Sequence, residues 1–258
     1  MASTPADEPW RDYRPAPNVL AGRVILVTGA TAGIGRAVAH DLVKHGATVV
    51  LHGRNEKLLD ELYRELAALG PEPSVAQLDL ELAQGPEYQA LTAALETRYG
   101  RLDGLLHNAG MLGNLSPIEH YDIALWQRVL HVNLTAPFIL TRCLLPLLRR
   151  SADASVLFTT SGVGSAGRAY WGAYSVSKFG TEGLAQVLAD ELEGTAIRVN
   201  AINPGSTRTR MRARAFPAEN PATLPPPESR TLPYVFLLGP DSRGVTRRRI
   251  DLQGAPRR

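Results

Sequence analysis

Arg23-Val-Ile-Leu-Val-Thr-Gly-Ala-Thr-Ala-Gly-Ile-Gly35 is the stretch that decides the fold. Its first half is short, apolar and β-branched, and reads as a buried strand that runs into a glycine-rich turn. Helical periodicity follows from Ile34 to about His45 and stops at Gly46, a C-cap glycine. A helix N-terminus placed just after a strand offers unpaired N–H groups and partial positive charge, which suits a pyrophosphate. Gly29 then makes the tight turn, Gly33 lets the backbone approach the ligand, and Gly35 allows close helix–strand packing. The spacing is Gly-x-x-x-Gly-x-Gly rather than Gly-x-Gly-x-x-Gly, and an ordinary glycine turn is the plain alternative. The strand before it and the helix after it favour binding.

Outward from this stretch the alternation repeats. Ala47–His52 is a second apolar run, and Asn55 caps a helix that reaches about Leu69 before Gly70-Pro71. Strands are expected at Ser74–Leu78, Leu102–His107, Ala154–Thr159 and Ile197–Ile202. Helices are expected at Gly85–Tyr99, over Tyr121–Arg150 with internal prolines, and at Trp171–Glu193. Alternation at this spacing implies right-handed crossovers and an α/β, Rossmann-like, doubly wound parallel sheet with helices on both faces. Residues 1–22 read as a loosely packed lead-in, and 23–258 as a single domain. Regularity ends after Pro204, where 205–230, rich in Arg, Pro and Ala, reads as a lid or a disordered segment. An apolar helix at Tyr234–Leu238 and an edge strand at Arg249–Leu252 close the chain.

Composition sets further bounds. The 258 residues are 44% apolar and 21% charged, enough for a sizeable core and against wholesale disorder. No run of about 18 apolar residues occurs, so no spanning helix and no membrane partner are expected. Met1–Arg14 is polar and unlike a signal peptide, and Cys143 is the only cysteine, so a cytoplasmic setting is expected. The net charge of +3 is carried by arginine, since only Lys44, Lys57 and Lys178 are lysines. Arg247–Arg249 and Arg257-Arg258 suggest a nucleic-acid surface, but acidic residues are interspersed through the chain and no such partner is expected. The six histidines show no metal-ligand spacing, so no metal is expected.

The adenosine end of a bound dinucleotide is read just after the second strand, where Asp or Glu favours NAD. Here stands His52-Gly-Arg-Asn55, with no acid. Arg54 can pair bidentately with a 2′-phosphate, with Arg36 assisting, so NADP is expected over NAD. A solvated turn residue is the alternative for Arg54.

Tyr174-Ser-Val-Ser-Lys178 places a phenol and an ammonium on one helical face. A nearby positive charge favours phenolate and lowers a tyrosine pKa from about 10, as proton transfer to a carbonyl oxygen requires. As a bare pattern the pair is weak. Ser161, at the end of the strand ending near Thr160, and Asn133, polar within an apolar helical stretch, add to it. A cap and a helix-kink residue are their respective alternatives.

Taken jointly, these residues give the chain a resemblance to the short-chain dehydrogenase/reductase family, in its single-domain branch. The matching residues are Thr28–Gly35, Asp79-Leu80, His107-Asn-Ala-Gly110, Asn133, Ser161, Tyr174 with Lys178, and Asn203-Pro-Gly205. More narrowly, Leu51–Asn55, Arg168–Lys178 and Asp241-Ser-Arg243 are similar to the YciK-like oxidoreductases of bacteria. The resemblance implies an NADP(H)-dependent oxidoreductase interconverting a carbonyl compound and its alcohol. It implies that Tyr174 is the general acid or base, that Lys178 lowers its pKa and holds the nicotinamide ribose, that Ser161 polarises the carbonyl, and that Asn133 anchors a relay water. It further implies that Gly29, Thr31, Gly33, Ile34 and Gly35 hold the cofactor phosphates, and that Asp79 and Leu80 flank the adenine. Asn108 and Gly110 would line the cofactor cleft, and Pro204, Gly205, Thr207 and Thr209 would meet the nicotinamide side. A homodimer or homotetramer through the helices at 121–150 and 172–193 is implied as well.

Two departures stand out. His107 replaces the usual first Asn of Asn-Asn-Ala-Gly, and Arg247 stands where a glycine usually leads into the last strand, which puts that strand in doubt. Met111, Leu112, Val163 and Trp171 form an apolar pocket wall suited to a hydrophobic carbonyl compound. Arg208, Arg210, Arg212 and Arg214 cannot all share one helical face, so a solvated segment is the default and an acidic or CoA-type substrate the alternative. A pyridine-nucleotide sensor with little turnover is the rival function.

Overall fold

The computed structural model describes residues 8–253. Residues 1–7 of the lead-in, and Arg257 and Arg258, lie outside the described residues. Seven parallel strands form one sheet in the order β3-β2-β1-β4-β5-β6-β7. They are β1 (Val24–Thr28), β2 (Thr48–Gly53), β3 (Ser74–Gln77), β4 (Gly104–His107), β5 (Ala154–Thr159), β6 (Ile197–Asn203) and β7 (Arg249–Asp251). The main helices are α1 (Gly33–Lys44), α2 (Glu56–Ala67), α3 (Gly85–Tyr99), α4 (Ile123–Leu130), α5 (Ala136–Arg149), α6 (Gly172–Glu191), α7 (Arg210–Ala215) and α8 (Leu232–Leu238).

The two faces of the sheet follow from the alternation within each strand. Val24 and Leu26 of β1 face a core that takes Leu95 from α3, Leu140 and Leu144 from α5, and Leu188 from α6. Ile25 and Val27 face the other way, onto Val38 and Leu42 of α1, Leu59 and Leu62 of α2, and Tyr234–Leu238. Both faces are covered, which is why the strands read as continuous apolar runs. The chain order reverses between β1 and β4, and a crevice opens at their C-terminal ends.

Local signals act as expected at several ends. The Asn55 side chain accepts from the Leu58 N–H at 3.0 Å and starts α2. Gly46 takes φ +95° after α1. Four features differ from expectation. The lead-in is partly embedded: Trp10 is buried in the core, and Tyr13 packs edge-on against Phe236 and donates to Asp241 at 2.7 Å. The stretch 121–150 is one helical run interrupted by a π-helical turn, His131–Thr135. That run, Ile123–Arg149, is long and apolar enough by composition to cross a membrane, so the sequence expectation of no such helix is amended. Its apolar side, however, is core: Leu140, Leu144, Leu147 and Leu148 are buried against the sheet.

The last strand forms despite Arg247. Ile250 pairs with Ile202 of β6, and Arg247 adopts φ +60°, the left-handed conformation that a glycine would take. Two carboxylates hold it there, Asp190 at 2.7 Å and Glu193 at 3.7 Å. Arg249 is likewise matched, by Glu182 and Asp251. Of the three described arginines in the suspected nucleic-acid patch, Arg247 and Arg249 are thus neutralised by the protein's own acids.

Candidate active site

A cleft of about 1520 Å³ lies over the C-terminal ends of the strands. Its floor is laced from β1 to β4 by Thr28, whose hydroxyl donates to the Leu106 carbonyl at 3.1 Å. The same oxygen accepts from the Asn108 N–H at 2.9 Å and the Ala109 N–H at 3.0 Å. Gly29 turns with φ +65°, and a Cβ there would lie 2.9 Å from the Ala109 Cα. A Cβ on Gly35 would fall on the Gly29 carbonyl oxygen and the Asn108 side-chain amide, so Gly35 serves packing under the turn and does not line the cleft. Ala32 begins α1 without a side-chain cap. The first N–H groups of that helix have no side-chain cap, and Thr31, Gly33 and Ile34 at this helix start line the cleft, a cradle that fits a pyrophosphate.

Arg54, Asp79 and Leu80 line the cleft beyond this turn. Arg54 is two-thirds exposed and lies 3.9 Å from Asp79 and 3.8 Å from Glu81. The acids missing after β2 thus arrive from the β3–α3 connection. Exposed contacts of that length are worth well under about 1 kcal/mol and leave the guanidinium open to a phosphate. Arg36 also lines the cleft, tied to Glu65. Asn108, Gly110, Pro204, Gly205, Thr207 and Thr209 line its remaining walls. Thr209 caps α7 by accepting from the Arg212 N–H at 3.1 Å.

Tyr174, Ser161 and Lys178 share one section of this cleft. Burial pushes the Tyr174 phenol up to about 12, while a hydrogen bond with Ser161 pulls it down. Lys178 moves the other way, to about 8, because burial disfavours its charge and Glu182 only partly restores it. The sequence-based expectation of a lowered tyrosine pKa is therefore reversed in this structure, since desolvation outweighs the Ser161 hydrogen bond. The Lys178 Nζ lies 5.7 Å from the phenol ring centroid and donates to the Thr159 carbonyl at 2.8 Å.

Asn133 does not line the cleft. It sits in the π-helical turn, where its side-chain oxygen accepts from the Met111 N–H at 2.7 Å. Its amide donates to the Met111 carbonyl at 2.9 Å and the Ser177 hydroxyl at 2.9 Å. Its own carbonyl accepts from Thr181 at 3.0 Å. Asn133 thereby clamps the wall segment at Met111 against α6.

Sequence reading missed the supports of Ser161. Three successive residues are each tied to a different group. The Thr159 carbonyl accepts from Lys178, the Thr160 hydroxyl donates to Glu182 at 2.6 Å, and the Ser161 carbonyl accepts from Arg249 at 3.3 Å. Arg249 in turn donates from Nε to both oxygens of Glu182 at 3.0 Å. Glu182 was legible in principle, because it lies four residues after Lys178 on the same helical face. Arg249 carried no local signal.

The sequence model of the family described as short chain dehydrogenase matches residues 23–220. The chain is 47% identical over 242 residues to the oxidoreductase YciK of Escherichia coli K12, itself uncharacterized, covering 93% of this chain and 96% of that one. A short chain dehydrogenase of Salmonella enterica serovar Typhi superposes with a TM-score of 0.92 at 47% identity, covering 93% of this chain and 100% of the other. A protein of Escherichia coli CFT073, solved in complex with NADPH, superposes with a TM-score of 0.90 at 48% identity, covering 93% and 100%.

Proposed function

The chain belongs to the short chain dehydrogenase family of oxidoreductases, and from that premise we propose that it interconverts a carbonyl compound and its alcohol using NADP(H). The observation that carries the proposal is the meeting of Tyr174, Ser161 and Lys178 in a cleft that also holds an uncapped helix N-terminus and Arg54. The NADPH bound by the Escherichia coli CFT073 relative supports the choice of NADP, as does a guanidinium where an acid would select NAD.

NADPH, when bound, supplies a hydride to the carbonyl carbon. Tyr174, protonated at neutral pH with its pKa near 12, donates its proton to the carbonyl oxygen. Ser161 orients and polarises that oxygen. Lys178 offsets the negative charge that proton loss leaves on Tyr174, and the proton is replaced from solvent. Asn133 acts behind the wall, holding Met111 in place. Residues 23–258 act as one catalytic domain in a cytoplasmic enzyme, with 205–230 as its lid. Exposed Phe138, Val176, Phe179 and Val187 on α5 and α6 favour a homodimer or homotetramer through those helices.

The test is NADPH oxidation with a panel of ketones and quinones. Tyr174→Phe should lower kcat by about 10²–10⁴-fold, the usual worth of a positioned acid, with no change in NADPH affinity. NADPH binding without turnover of any panel member would instead point to a nucleotide sensor.

A further inference from the structure

The end of the cleft beyond the phenol combines an apolar cup with cations that the described residues leave unmatched. Leu112, Trp171, Tyr174 and Ala215 form a buried cluster, with Met211 and Phe216 packed on it. From the phenol, aromatic rings lead outward in short steps. Tyr174 to Trp171 is 5.8 Å, Trp171 to Phe216 is 5.7 Å, and Phe216 to the Arg168 guanidinium is 5.5 Å.

Two arginines flank Phe216, and they differ. Arg212 lies 3.7 Å from the ring centroid, and its Nε and Nη2 both donate to Glu219 at 2.6 Å, so its charge is matched. Arg168 is exposed and has no carboxylate partner among the described residues. Arg210 and Arg214 stand one turn apart on α7, so they share a face, and both line the cleft without a carboxylate partner. Glu228 is the one carboxylate that 205–230 turns to this cleft, while Asp79 and Glu81 sit with Arg54. Like charges gathered at one mouth raise the local potential and favour an entering anion.

We propose that the substrate is an amphiphilic anion. Its carbonyl lies at Tyr174 and Ser161, its apolar body follows Trp171 and Phe216, and a terminal carboxylate or phosphate meets Arg168 and the Arg210/Arg214 face of α7. This rests on the reading of Tyr174 as the proton donor to a carbonyl. A neutral ketone of the same shape fills the cup equally well but leaves the guanidiniums facing water. A planar guanidinium donates two parallel hydrogen bonds to either anion, and a partly desolvated aromatic rim strengthens them.

The test needs no turnover. The NADP-loaded protein is titrated with decanoate, decanamide and decyl phosphate. At low salt at least one anion should bind about tenfold or more tighter than the amide, the scale of a charge-assisted pair. The advantage should shrink toward unity at about 0.5 M salt, where screening is strong. In Arg168→Ala/Arg214→Ala the anion should lose the same advantage while the amide is unaffected, with NADP saturation reporting that the variant is folded. The tighter of the two anions names the head group. Equal affinity for all three probes, or binding of none by NADP-saturated protein, overturns the proposal. Failure to bind NADP at all would instead overturn the oxidoreductase reading beneath it.

Discussion

The two ends of the sheet use the same side chains to opposite effect. At the N-terminal end of the strands, Asp153 binds Arg23 at 3.1 Å and Arg198 at 3.1 Å, all three buried. Arg23 also donates to the Asp103 and Asp153 carbonyls, and Arg198 to the Leu237 and Gly239 carbonyls. Asp103 accepts from the Val24 N–H at 2.9 Å and the Ser151 hydroxyl at 2.6 Å. Burial pulls both guanidiniums below their ordinary pKa, and Asp153 pushes them back. At the C-terminal end, by contrast, Arg210 and Arg214 line a cleft with no carboxylate partner among the described residues, and His52 is buried with both ring nitrogens unpaired. Charges that hold strands together are closed into ion pairs, whereas Arg210 and Arg214 at the cleft have none among the described residues.

The largest effect should come from opening the closed end. Asp153→Ala removes the ion-pair partner of two buried guanidiniums, leaving Arg23 only the more distant Asp103, and should cost about 3–5 kcal/mol of stability, read by urea unfolding. NADPH affinity per folded molecule should not change. A loss below about 1 kcal/mol, the worth of an exposed pair, would break the contrast between the two ends.

Acid should act on the open end instead. Burial lowers His52 to about 4 and His107 to about 3, both below the unfolded value near 6.5. The folded state thus binds fewer protons than the unfolded chain. The stability they contribute is complete above about pH 6.5 and is lost as pH falls toward 3–4. By pH 5 the loss should be about 2 kcal/mol per histidine, and His52→Gln should flatten its share of that slope.

A smaller effect separates support from chemistry at Ser161. Glu182→Gln removes the charge that raises Lys178, so the ammonium should lose its proton at lower pH and the alkaline limb of kcat should shift downward. A purely structural role would lower kcat at every pH and leave that limb in place. Smallest of all is Arg247→Gly. It removes the strain of a left-handed arginine but also two exposed ion pairs, so stability should stay within about 1 kcal/mol.

The alternation of apolar runs with periodic segments made the sheet legible, because each strand is buried on both faces and each helix on one. Tyr174, Lys178 and Ser161 were legible because one helix face and one strand end carry them. The Glu182–Arg249 tie was not, since it joins α6 to a strand 67 residues further on. The docking of the lead-in was not legible because one large apolar anchor, Trp10, stands alone in a polar, proline-containing segment. Arg247 was misread because the site demands a backbone conformation, and ion pairs made an unusual residue tolerable there.

The π-helical turn at His131–Thr135 also says how this protein tolerates gain and loss of single residues. A wide turn of this kind accommodates one residue more than a regular helix would. Deleting one residue within it would restore an unbroken α-helix with the two flanking segments still in phase. Leu140, Leu144 and Leu147 would stay in the core, and what would be disturbed is the local backbone that aims Asn133 at Met111. The extra residue thus serves the placement of Asn133 rather than the packing of the helix on the sheet.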